Sequence, residues 1–409
     1  MQEYHPASLL RERDGGEARV SPLELFFDLV FVFAVTQLSH RLLEHLTVVG
    51  ALETLFLLLA VWWAWIYTTW FTNWFDPDRP AVRALLVTVM LVSLLMSVAI
   101  PDAFAERGLM FAAGYVAIQV GRTGFAVITL NRSLGASHPM SRNFQRILAW
   151  FTVPAVLWIS GSLLEGEARY ALWGLALALE YAGPAAGFWT PGLGRSTTDV
   201  WDIEGGHIAE RCQRFIIIAL GQSIIITGST FADLEASTAR VAAFVNAFLG
   251  SAAFWWIYFS RHAEAARETI SSADDPGRLA RSGYTYFHLP MVAGIIAVAA
   301  SDEITVTHPG EPGKAAFTML ILGGTALFLA GQALFKWAIS ELLPWSPWSR
   351  VVAIAALAAL VPVGGALPAL ALSAAATLVV VALVVWDTVT ERQRARSRRQ
   401  DPPRKHTPP

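Results

Sequence analysis

A single cysteine, Cys212, in 409 residues excludes an internal disulfide and any cysteine-built metal site. Charge is scarce as well. Only 15% of the residues are charged, against about 25% in an ordinary soluble domain, which argues against a water-soluble globule of this size. Basic charge on a folded face, the footprint of a nucleic-acid binder, is lacking too, so no nucleic-acid partner is expected. The basic excess sits instead in a tail. Residues 391–409 hold seven basic side chains against two acidic ones, and the rest of the chain is net acidic. No Walker loop, dinucleotide fingerprint or Gly-x-Ser-x-Gly elbow occurs, and no cofactor is implied.

What the chain has in quantity is hydrocarbon. Hydrophobic types make up 55% of it, with a mean hydropathy of +0.47. A bilayer-spanning helix needs about 20 mostly apolar residues. Twelve such runs lie near 23–42, 51–71, 82–100, 108–130, 147–164, 170–188, 208–229, 241–260, 284–300, 315–335, 350–366 and 368–386. The expected fold is therefore an all-α polytopic membrane protein of about twelve transmembrane helices, joined by short loops. The last two runs share an uncharged stretch, 351–386, broken by Pro362, Gly364, Gly365 and Pro368. Two helices about a tight Gly-Gly turn fit it better than one span. With the N-terminus inside, inner loops carry twelve basic residues and outer loops five, and the basic tail also falls inside. The positive-inside rule then places both termini in the cytoplasm.

The halves resemble each other in order. Trp63-Ala64-Trp65-Ile66-Tyr67 matches Phe254-Trp255-Trp256-Ile257-Tyr258, and Val98-Ala99-Ile100-Pro101-Asp102 matches Val298-Ala299-Ala300-Ser301-Asp302. The first and seventh runs each open on an acid, Glu24 or Glu210, and reach a glutamine, Gln37 or Gln222. Two parallel six-helix repeats follow, as in several transporter folds. The chain divides into an N-terminal cytoplasmic tail (1–22), a first repeat (23–188), a cytoplasmic linker (189–207), a second repeat (208–386) and the basic cytoplasmic tail (387–409).

The first run, Pro22-Leu23-Glu24-Leu25-Phe26-Phe27-Asp28-Leu29-Val30-Phe31, resembles the signature of the bacterial low temperature requirement A (LtrA) family. His207-x-x-Glu210-Arg211 followed by Phe215 to Ile224 is similar to that family's second block, and Tyr286-x-His288-Leu289-Pro290 and Trp255-Trp256-x-Tyr258-Phe259 also look familial. Where the family usually carries Leu-Gly-Glu-Ser, this chain has Leu220-Gly221-Gln222-Ser223, so a role needing a carboxylate there does not carry over. The resemblance implies a bacterial cytoplasmic-membrane protein linked to growth in the cold. It implies no particular substrate or reaction.

Charges at membrane depth cost about 2.5–3.5 kcal/mol each on insertion scales and usually face the protein interior. At about 100° per residue, Glu24 and Asp28 share a face of the first helix. His207, Glu210, Arg211, Arg214, Gly221 and Gln222 fall on one stripe of the seventh, about 120° wide. Both groups lie within two turns of the inner end, so the helices can bring them together. One reading is an inter-helix salt-bridge network that fixes packing. Another is a site for a proton, cation or small-molecule substrate, with Asp28 and Glu24 as coupling carboxylates, Arg211 and Arg214 as counter-charges, and His207 and Glu210 completing it. A metal site is disfavoured by the two guanidiniums.

Secondary candidates are Arg122 and Glu180, which either pair across the bundle or line cavities, and His288, read as a core histidine ahead of a proton carrier. Glu180 precedes Gly183-Pro184, where a kink is expected. Asp102 and Asp302 read as solvated interfacial acids, and Trp62, Trp63, Trp65, Trp70 and Trp74 mostly as interfacial anchors and packing residues. The functional expectation is a secondary transporter or ion-translocating protein. The rivals are a membrane-embedded enzyme acting on a lipid or isoprenoid, and a non-catalytic membrane factor in cold adaptation.

Overall fold

The computed structural model describes residues 9–11, 20–196, 203–259, 280–312, 314–339 and 348–400. Twelve long helices run through them: α1 (Pro22–Glu44), α2 (Val48–Trp74), α3 (Pro80–Val98), α4 (Gly108–Ser133), α5 (Pro139–Ser162), α6 (Gly166–Ala182), α7 (Gly205–Ala232), α8 (Thr238–Tyr258), α9 (His288–Thr307), α10 (Ala315–Ile339), α11 (Trp348–Gly364) and α12 (Ala369–Gln400). A π-helical turn, Ala280–Tyr286, leads into α9. No strand occurs among the described residues, only isolated bridges such as Leu10 with Phe75. Every expected run is a helix, and 351–386 is two, parted at Gly364-Gly365. Most of the tail's side chains, and those of the long connection at 260–279 with Arg261, Arg267 and Arg278, lie outside the described residues.

The chain is an all-α polytopic membrane protein. Nine of the helices are long and apolar enough to cross a bilayer, and Leu29, Leu52, Leu91, Val156, Ile225 and Leu378 leave more than half their surface facing outward. The other three depart from the expected length or polarity. Helix α5 opens with Ser141, Arg142, Asn143, Gln145 and Arg146, which lowers its hydropathy, and α6 and α11 have 17 residues each.

The sequence explains where the helices start and stop. Ser21 caps α1, accepting the Glu24 N–H, and Glu24 returns a carboxylate oxygen to the Ser21 N–H at 2.8 Å. This is a capping box with Pro22 in the first turn. Pro80 and Pro139 open α3 and α5 in the same way. Helix α6 ends at Ala182, short of the expected 188, because Gly183-Pro184 stops it rather than bending it. A few turn bonds follow, such as the Ala186 N–H on the Ala182 carbonyl at 2.9 Å, and the chain then runs on beside α5 as irregular backbone. Its carbonyls are taken up by α5 side chains, Trp189 by Trp150 Nε1 at 2.9 Å and Leu193 by Arg146. Irregular backbone inside a bundle needs such partners.

In each half the same neighbours pack: first with second and third, third with fourth, fourth with fifth, and fifth with sixth. The halves also differ, since α2 packs on α4 whereas α8 packs on α12. Helices α9 and α10 make the closest approach. A methyl group on Gly294 would fall 2.5 Å from the Phe328 nitrogen, and one on Gly331 would fall 2.8 Å from that of Met291. Small residues allow this backbone contact. The two halves join where α1 and α2 meet α7 and α9, and the charged candidates lie at that junction.

Candidate functional site

The spacing that puts Glu24 and Asp28 on one face of α1 turns them away from Phe26 and Leu29, which point outward, and both acids are fully buried. Across from them α7 presents His207 and Arg211, equally buried. Arg211 Nη2 donates to Asp28 Oδ1 at 2.7 Å, and its Nη1 lies 3.2 Å from Glu24 Oε1. His207 Nε2 meets the same Glu24 oxygen at 2.8 Å. The guanidinium is flanked by the Phe27 and Trp65 rings, their centroids 5.6 and 5.8 Å from its central carbon. Acids near the start of the chain and a guanidinium past its midpoint are therefore neighbours inside the bundle.

Several partners were not read from the sequence. Arg11, in the N-terminal segment, closes the cluster from the end at which α1 begins. Residues 9–11 lie against the end of α2, with the Arg11 N–H on the Trp74 carbonyl at 2.9 Å, and Arg11 Nη2 reaches Glu24 Oε2 at 3.1 Å. From α2, Trp65 Nε1 donates to Asp28 Oδ1 at 2.8 Å, and Asn73 Nδ2 lies 3.3 Å from His207 Nδ1. Nothing in the sequence marked Arg11, a lone basic residue in a polar tail.

The two acids are not equivalent. Both Glu24 oxygens are occupied: Oε2 takes the Ser21 N–H and Arg11, and Oε1 faces His207 and Arg211. Asp28 has both its donors on Oδ1, and Oδ2 is buried with no hydrogen-bond partner among the described residues. Arg211 Nε is likewise unfilled. A buried polar atom left so is costly and marks the point of the cluster that could accept another group.

Glu210 and Arg214 stand apart. They are half-buried and pair with each other one turn apart on α7, as i,i+4 ions do on a helix surface. Gln37 and Gln222 are half-buried, and neither side chain is held by a hydrogen bond among the described residues. His288 is a core histidine, with Nε2 against the Tyr258 hydroxyl at 2.8 Å and Nδ1 against the Gly283 carbonyl at 3.0 Å. Arg122 and Glu180 do not pair. Glu180 accepts from the Tyr115 hydroxyl and from Trp158 Nε1, while Arg122 holds Gln119, Thr68 and the Ala64 carbonyl.

Asp102 does pair with Arg107 at 3.3 Å near the surface, but Asp302 is buried in α9 rather than solvated. The five tryptophans of α2 are packed inside, none more than 6% exposed, instead of forming an interfacial belt. Among the described residues no three His, Cys, Asp or Glu side chains come together as a metal set.

The model of the bacterial low temperature requirement A proteins (LtrA) matches residues 19–385. The chain belongs to the LtrA family. It is also similar to an uncharacterized protein of Rhizobium meliloti (strain 1021), 38% identical over 399 residues, which is 97% of this chain and 95% of that protein. The family match takes in both halves and all four buried charged or imidazole side chains of the α1–α7 cluster, while Arg11 precedes it. Membership accounts for the LtrA-like blocks in α1, α7 and α9. It names no substrate.

Proposed function

We propose that this LtrA-family protein is a secondary transporter or ion-translocating protein of the bacterial cytoplasmic membrane, with both termini cytoplasmic. The coupling site lies between the first helices of two parallel six-helix repeats, and Asp28 is the exchanging carboxylate. The observation that carries this reading is the unfilled Asp28 Oδ2, buried beside an arginine of the other half. A proton or cation arriving at that oxygen weakens the pull of Asp28 on Arg211 and so loosens α1 from α7. That is the kind of linked charge and packing change by which one bundle rocks against another. Glu24 serves differently. With every acceptor taken, it positions His207, Arg11 and the start of α1. Glu210 and Arg214 form a flanking pair near the same end, and Gln37, Gln222 and His288 hold no part of the exchange.

The burial of all four central side chains corresponds to a closed state of the cycle. The same closure also supports a second reading, in which the network only holds the halves together and the protein is a non-catalytic factor in cold growth.

Proteoliposomes distinguish the two. Purified protein carrying Asp28→Asn, an isosteric neutralisation, is expected to remain folded and to lose proton or cation flux under an imposed gradient that the wild type dissipates. Undiminished flux overturns the coupling role. Cold growth restored to the wild-type level by a chain neutralised at Arg11, Glu24, Asp28 and Arg211 together would establish the structural reading instead.

A further inference from the structure

The charges of the α1–α7 cluster balance: the carboxylates of Glu24 and Asp28 against the guanidiniums of Arg211 and Arg11. His207 adds none. The Asn73 amide, oriented by its two bonds to the Glu204 backbone, points an N–H at His207 Nδ1, so the ring hydrogen sits on Nε2, facing Glu24. The nearby Glu210 and Arg214 satisfy each other, and among the described residues no further charge pairs with the four.

The two cations are held in different ways. Arg211 belongs to a membrane helix, and its side chain is 1% exposed. Arg11 sits on a segment outside the long helices. That segment is laid along the end of α2 by the Arg11 N–H on the Trp74 carbonyl and the Asp76 N–H on the Leu9 carbonyl. The Arg11 side chain reaches the Thr72 carbonyl at 2.7 Å, Glu24 Oε2 at 3.1 Å and His207 Nε2 at 3.3 Å, and remains 13% exposed. Leu9 beside it is buried. Asp28 lies one turn deeper than Glu24, about 6 Å along the helix, so Arg11 stands at the inner mouth of the site.

We propose that Arg11 is a tethered counter-cation that the transported proton or cation displaces. This rests on the coupling reading of Asp28. A positive charge reaching Asp28 Oδ2 leaves the cluster with one cation too many, and a surplus charge in a low-dielectric interior is costly. The cation that can leave without unpacking a membrane helix is Arg11. Its departure takes residues 9–11 off α2 and uncovers Glu24 and His207 toward the cytoplasm. By linkage, seating of Arg11 and occupancy of Asp28 oppose each other.

Labelling of a Leu9→Cys reporter by a water-soluble maleimide, in the full-length protein in nanodiscs, reads the seating of this segment. It needs no flux, so a failed coupling role and a failed displacement are told apart. Cys212 is buried and serves as the unreactive reference. Labelling is expected to be slow in the reporter alone and about tenfold or more faster after Asp28→Asn, which imitates the neutralised carboxylate. Adding Arg211→Met rebalances the cluster and is expected to return the slow rate, an effect that mere loosening of the fold would not give. Should Asp28→Asn disturb the fold, Arg11→Gln is expected to release the segment likewise and Arg11→Lys to retain it. Fast labelling of the reporter alone overturns the proposal. So do a rate unmoved by Asp28→Asn, or by Arg11→Gln where that variant carries the test, and a fast rate that persists once Arg211→Met is added.

Discussion

The α1–α7 cluster and helix α4 each bury an arginine, and the bundle treats the two oppositely. Arg211 is met by two carboxylates and two aromatic faces. Arg122 is met by a carbonyl, a hydroxyl, an amide and one aromatic face, the Tyr67 ring at 5.8 Å, with no carboxylate paired to it among the described residues. The difference shows what a buried charge is for. A charge whose partners are built into the chain holds helices in register, and removing one partner strands the other. A charge with only neutral partners is held in place but left electrostatically unfinished.

The sharpest break between the two comes from deleting each cation. Arg211→Met leaves Glu24 and Asp28 buried without their shared partner, and a loss of about 3–5 kcal/mol is expected, read by denaturant unfolding in detergent. Adding Asp28→Asn to that variant should return much of it. Wild-type stability in the single variant would mean that the cluster is not a compensated unit.

A pair of tryptophans two residues apart gives a finer contrast. Trp65 donates to the Asp28 carboxylate, so Trp65→Phe is expected to cost about 1.5–3 kcal/mol, the range for hydrogen bonds to charged groups. Arg122→Gln gives up three bonds from a charged donor but relieves the burial of a cation with no paired carboxylate, so the net loss is expected to stay at about 1 kcal/mol, and a loss matching that of Arg211→Met would erase the distinction between the two arginines. Trp63→Phe releases no hydrogen-bond acceptor among the described residues, so its cost is that of a smaller ring at a fully buried site, about 1 kcal/mol in the same unfolding assay and below that of Trp65→Phe.

Much of this was legible in the sequence because the membrane simplifies it. Hydrocarbon length sets the helices, and the helical period puts Glu24 with Asp28 and His207 with Arg211. Period alone could not decide how wide the inward stripe of α7 is. Glu210 falls at the edge of that stripe and Arg214 near its middle, yet both stay half-buried and satisfy each other instead of joining the cluster. Repeat matching carried similar ambiguity. Trp65 and Trp256 hold equivalent places in the matched strings, but one is fully buried on Asp28 and the other is 53% exposed. Arg11 was invisible because its place comes from backbone pairing between a tail segment and the end of α2, which no periodicity announces. At the far end of the chain the same held for Asp387, which draws Lys336 and Arg350 together and ties α10, α11 and α12 at one level.

The distance along the chain between Glu24 and its α7 partner has a consequence for biosynthesis. His207 is 183 positions downstream. At about 5–20 residues per second of translation, α1 waits on the order of ten seconds or more with its acids attended only by nearby groups. Either it is shielded by the insertion machinery until α7 emerges, or it enters the bilayer late. The acids of the opening helix thus gain their α7 partners only at the chain's midpoint, and a chain truncated before α7 should be handed to quality control rather than retained.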